Sequence, residues 1–140
     1  MTKHLAVCLA LGLVSLAAFP SAAETVALKA DLKASNEVPP NASTATGMAE
    51  ATFDTATRSL TWTVTYSGLS GAAAGAHFHG PGEAGKNAGI VLPFPSPTSP
   101  IKGTQMLSEA QAADLLAGKW YVNVHTAANP GGEIRGQMVK

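Results

Sequence analysis

His77 and His79 flank a single residue in Gly75-Ala-His-Phe-His-Gly-Pro-Gly82, and His125 closes the run Trp120-Tyr-Val-Asn-Val-His125. Alternate side chains of an extended strand point the same way, so His77 and His79 share one face and Phe78 takes the other. They lie roughly 7 Å apart along such a strand, which lets both imidazoles reach one ion. His125 has the parity of Tyr121 and Asn123, while Trp120, Val122 and Val124 read as core-facing. All three histidines thus point away from apolar strand faces. A third imidazole on a neighbouring strand completes a cluster of the kind that holds zinc or copper, with nitrogens at about 2.0–2.1 Å from the ion.

Magnesium and calcium prefer oxygen ligands and fit this set poorly. Three protein ligands leave one position open. Glu83 or Glu133 could fill it, as could Met48, Met106 or Met138. Arg135 either pairs with Glu133 or a backbone carbonyl, or guides an anion toward the site. A competing reading makes the histidines structural, bonding backbone groups and holding long loops in place.

The elements that must position these residues are mostly strands. Val26, Leu28, Ala30 and Leu32 alternate with polar neighbours, and Gly47 to Phe53 follows as a second strand. Leu60, Trp62, Val64 and Tyr66 face one way and Thr61, Thr63 and Thr65 the other, the clearest strand in the chain. Trp62 and Trp120 are read as core aromatics. Gly89 to Phe94 is expected to be a short buried strand, and Ile101 to Leu107 another. Ser108, with Gln111 three residues on, predicts a capped helix ending at Gly118. Strands at Trp120 to His125 and Glu133 to Val139 flank a turn at Asn129-Pro130-Gly131. Asn123 and Asn129 are expected to anchor turns or loops. Gly80, Gly82 and Gly85 suit tight loop geometry without a following helix, so they do not form a phosphate loop. Short strands without alternating helices predict an all-β, antiparallel Greek-key sandwich or barrel with one short helix.

Residues 1–23 read as an export signal. Lys3 and His4 open it, Leu5 to Phe19 is almost wholly apolar, and Ser21-Ala22-Ala23 suits cleavage. The apolar run is too short for a stable membrane span. A domain over residues 24–140 remains, large enough for one core. The single cysteine, Cys8, lies in the signal, so no disulfide can form after it. Of nine Lys and Arg, Lys3 is removed with the signal, leaving eight against nine Asp and Glu. That balance argues against nucleic acid or an anionic membrane as the main partner. Asn41-Ala42-Ser43 matches a glycosylation sequon.

Ala76-His-Phe-His-Gly-Pro81, and Leu116 through Gln137 with its Trp-Tyr-Val-Asn-Val-His-Thr-Ala-Ala-Asn-Pro-Gly-Gly-Glu-Ile-Arg core, resemble the CHRD domain; Asn36-Glu-Val-Pro-Pro40 fits that family's opening segment. The resemblance covers nearly all of residues 24–140. It implies a periplasmic or secreted β-sandwich of immunoglobulin-like or superoxide-dismutase-like type, with an extracytoplasmic protein as one class of partner. A weaker likeness connects His77, His79, His125 and Arg135 to the copper site of copper-zinc superoxide dismutases. The chain lacks that family's fourth histidine, zinc loop and disulfide. Three expectations follow: a copper site, or less favoured a zinc site, for metal handling; a non-enzymatic binding or adhesion module; and a dismutase-like copper enzyme.

Overall fold

The computed structural model describes residues 23–140; the export signal expected over residues 1–23 lies, but for Ala23, outside the described residues. The strands are β1 (Thr25–Lys33), β2 (Thr46–Asp54), β3 (Ser59–Ser67), β4 (Ala73–His79), β5 (Ile90–Pro93), β6 (Ile101–Met106), β7 (Tyr121–Thr126) and β8 (Ile134–Gln137). A 3-10 turn, Ala34–Asn36, follows β1, and helix α1 spans Glu109–Leu116. Every strand pairing is antiparallel, in the order β5-β4-β7-β8-β1-β2-β3-β6. The all-β expectation therefore holds, and the architecture is one eight-stranded sheet curled into a half-barrel.

Side chains show the curl. In a flat sheet with strands about 4.8 Å apart, β3 and β4 would be roughly 24 Å from one another. Instead the rings of Trp62 on β3 and Phe78 on β4 lie 5.6 Å apart, edge to face. Phe94, just past β5, stacks on Trp62 at 5.5 Å, and Trp120 meets Phe78 at 5.6 Å. The alternating apolar residues of β1, β2 and β3 fill the same interior. Both tryptophans are core aromatics, as their patterning predicted.

One strand differs from expectation. β5 is not fully buried: Ile90 is 55% exposed, Val91 and Leu92 are half-buried against the core, and Phe94 just beyond the strand is buried in it. It is an edge strand closed by Pro93, where the missing N–H costs no ladder bond. Helix α1 matches its sequence signal. Ser108 Oγ accepts from Gln111 N at 3.1 Å, and Ser108 N donates to Gln111 Oε1 at 2.9 Å. Gly118, at φ 74°, ends the helix.

The opposite face of β4, β7 and β8 is also covered. The β1–β2 and β4–β5 connections lie over it and bury Glu37, Asn123, Glu133 and Arg135. The molecule thus has an apolar core on one side of these strands and a polar one on the other. The histidines belong to the polar side.

Candidate metal centre

β4 and β7 are neighbours, registered so that Gly75 faces His125, His77 faces Asn123 and His79 faces Tyr121. Ala76, Phe78, Val122 and Val124 point into the apolar core, so the intervening residues must project together from the other face. His77 and His125 are diagonal neighbours in this register. Gly75 opposite His125 has no side chain, and the His77 ring lies over that position, with Cε1 3.5 Å from where a Cβ would stand. The result is compact: the three rings offer one nitrogen each, all within 4.8 Å of one another. No Asp or Glu among the described residues joins that group.

Backbone carbonyls set the protons on two of the rings. His79 Nδ1 lies 2.9 Å from Ala88 O, and His125 Nδ1 lies 2.9 Å from Pro130 O. A carbonyl can only accept, so each Nδ1 carries the hydrogen and each Nε2 keeps its lone pair. This is how metal-bound histidines are usually oriented. His79 Nε2 is buried and has no hydrogen-bond partner. His125 Nε2 lies 2.9 Å from Asn123 Oδ1 and 3.2 Å from His77 Nδ1. With the His125 proton on Nδ1, Nε2 and the amide oxygen are two facing acceptors. A cation shared between them, proton or metal, relieves that repulsion. Burial lowers the pKa of His77, and the charges of His125 and His79 add to the effect. Burial likewise lowers that of His79, against an opposing hydrogen bond to Ala88. Both shifts favour the neutral, ligating imidazole.

The surroundings revise several sequence readings. Tyr121 and Asn123 share the histidine face but are buried, because loops cover that face. Asn123 is no turn residue; it sits in mid-strand, with Oδ1 facing His125 Nε2 and its amide nitrogen beside Gly132 and Glu37. Asn129 does hold its turn, accepting from Gly132 N at 3.0 Å. Of the two structural partners expected for Arg135, Glu133 is not one but a backbone carbonyl is. Arg135 donates to Asn87 Oδ1 at 2.9 Å and to Lys86 O, with its Cζ 3.4 Å from the centre of the Tyr121 ring. Tyr121 in turn lies parallel to His79, centroids 4.8 Å apart, and its hydroxyl donates to the same Ala88 O.

Glu133 is fully buried and committed elsewhere. It accepts from Ser43 Oγ at 2.6 Å, Thr126 Oγ1 at 2.6 Å, and Ser70 Oγ and N at 2.7 and 2.8 Å. Burial raises its pKa, but these bonds outweigh that and bring it down to about 2. Glu83 is exposed on the β4–β5 loop. Met48 and Met106 are exposed, and Met138 belongs to the apolar core. Asn41 points inward, donating to Gly132 O and Glu133 O, so its amide serves the fold.

Glu37 carries no role in the sequence reading beyond its place in the Asn36-Glu-Val-Pro-Pro40 segment. It is buried against Gly132, and burial raises its pKa to about 7 despite Arg135 and a hydrogen bond from Asn123. Its Oε1 has no partner. Chemically, the centre offers three neutral nitrogens, a neutral amide oxygen at its edge and a cation two rings away. Comparison with curated proteins and with solved structures finds no match. The CHRD domain description matches residues 28–138, a span holding seven of the strands in full, all of β1 from Leu28 and all three histidines. The chain belongs to the CHRD domain family.

Proposed function

We propose that this protein is an exported metal-handling module that binds copper, and zinc less readily, through His77, His79 and His125. The observation that carries the reading is His79: its proton is fixed on Nδ1 by Ala88 O, while Nε2 is buried without a partner. A buried lone pair left unmatched costs about 1–3 kcal/mol, and a metal ion recovers that cost. The two neighbouring imidazoles within 4.8 Å supply further ligands. CHRD domains are generally extracellular, which agrees with residues 1–23 acting as a signal and with copper as an extracytoplasmic cargo. The domain then spans residues 24–140.

Copper and zinc content and affinity of the purified protein test this, beside the triple variant His77→Ala, His79→Ala, His125→Ala. The native protein is expected to take up one equivalent and the variant none, with the β-sheet circular dichroism unchanged. Equal uptake by both would remove the site. A second reading, a binding module with structural histidines, is favoured by one observation: His79 and His125 tether the Ala88 and Pro130 loops. That role predicts no metal uptake and a loss of about 1–3 kcal/mol in the variant.

A further inference from the structure

We propose that Arg135 makes this centre selective for a monovalent ion, Cu(I), over Cu(II) and Zn(II); the inference rests on the metal reading above. Among the described residues no anionic ligand offsets the charge of a divalent ion at this site. The three ligating rings are neutral, Asn123 adds only an amide oxygen, and no carboxylate joins the group among the described residues. Glu133 spends both oxygens on hydroxyl and amide donors.

The nearby fixed charge is positive. β7 lies between β4 and β8, so His79, Tyr121 and Arg135 form one stack across three strands. The imidazole and phenol rings are parallel at 4.8 Å, and the guanidinium carbon stands 3.4 Å from the phenol centre. Arg135 is 2% exposed, so water screens it poorly. Its guanidinium cannot slide away, because Asn87 and Lys86 O hold it. Glu37 faces Arg135, but burial raises its pKa to about 7, so at and below neutrality it cancels the cation only in part.

A fixed unit charge repels a divalent ion twice as strongly as a monovalent one. At roughly 8–10 Å and an effective dielectric of about 20, the extra charge disfavours the divalent ion on the order of 10–30-fold. Coordination number acts in the same direction. Three nitrogens satisfy Cu(I), whereas zinc must also hold a fourth ligand, water in a three-histidine site.

The test measures dissociation constants of the full protein by competition, for Cu(I) under reducing conditions and for Cu(II) and Zn(II) separately. It adds the Cu(II)/Cu(I) reduction potential of the native protein, Arg135→Lys and Arg135→Gln. Cu(I) is expected to bind most tightly. Arg135→Gln should lower the potential by about 60–90 mV, which is 10–30-fold at 59 mV per tenfold, and Arg135→Lys should hold it near native. Glu37→Gln at pH 8, where Glu37 is ionised, should raise the potential, and this variant carries the test if Arg135→Gln fails to fold. Zn(II) binding as tight as Cu(I), or a potential indifferent to these charges, would overturn the selectivity while leaving the metal site standing. Uptake of none of the three ions would overturn both.

Discussion

Two buried carboxylates in this fold, Glu37 and Glu133, have pKa values shifted in opposite directions, and their donors explain why. Glu133 collects hydrogen bonds from three hydroxyls and one backbone N–H, enough to keep it charged without solvent. Glu37 has a poorer set, with Oε1 unpartnered, and burial raises its pKa to about 7. A carboxyl whose folded pKa exceeds its unfolded value stabilises the fold fully below the unfolded pKa. That contribution is lost as pH rises through the folded pKa. For Glu37 the window runs from its ordinary value of 4.5 to about 7. Glu37→Gln keeps the neutral shape and removes the titration. Relative to the native protein, it should gain on the order of 3 kcal/mol as pH rises across that window, then level off. Urea unfolding of both proteins between pH 4.5 and 8 checks this, and parallel curves would mean that Glu37 is solvated. His77 and His79 act with the opposite sign, since lowered histidine pKa values stabilise the fold above 6.5 and not below the folded value. Comparing the two proteins at each pH cancels that background.

At the scale of elements, the histidine site depends on how the β4–β5 loop and the β7–β8 turn are held beside it. The β4–β5 loop is held by Arg135 through Lys86 and Asn87, and by His79 and Tyr121 through Ala88. The β7–β8 turn brings Pro130 O to His125 and seats Gly132 against Glu37. Gly132 has φ 127°, a region that side chains rarely adopt, and a Cβ there would strike the Glu37 carboxylate and lie 2.7 Å from Asn123 Nδ2. Gly132→Ala should therefore cost at least about 2 kcal/mol. It should also weaken metal uptake, because Asn123 and the Pro130 carbonyl both orient His125. Denaturant unfolding and a metal titration of this variant check the two parts. Native-like stability would show that the turn rearranges freely.

For the whole molecule, curling of the sheet is the event that makes the apolar core. Phe78 touches Trp62, Phe94 and Trp120 at ring distances of 5.0–5.6 Å, and so joins the two ends of the sheet. It also sits between the ligand candidates His77 and His79. Phe78→Ala should cost about 3–5 kcal/mol, the usual range for deleting a buried aromatic ring. It should also loosen metal binding, since β4 loses the contact that fixes its pleat. Near-ultraviolet circular dichroism of the tryptophans and a metal titration report the two effects. An unchanged tryptophan signal would place closure of the sheet elsewhere.

Strand identity and side-chain parity were legible because period-two alternation in β1, β3 and β7 is local. The same parity put the three histidines on one face, and the capping residues of α1 announced the helix. The pattern of β5 was misleading, since a short apolar run reads alike at an edge and in a core. Parity names the face but not what covers it, so the burial of Tyr121, Asn123 and Arg135 depended on how the β1–β2 and β4–β5 connections pack. The partners of Arg135 and Glu37, and Ser43 and Ser70 among those of Glu133, are far away in sequence, and no local pattern encodes them. Residue order thus determined three imidazoles on the polar faces of strands. Only the tertiary structure made β4 and β7 neighbours in register and closed loops over them, because both depend on packing between distant segments.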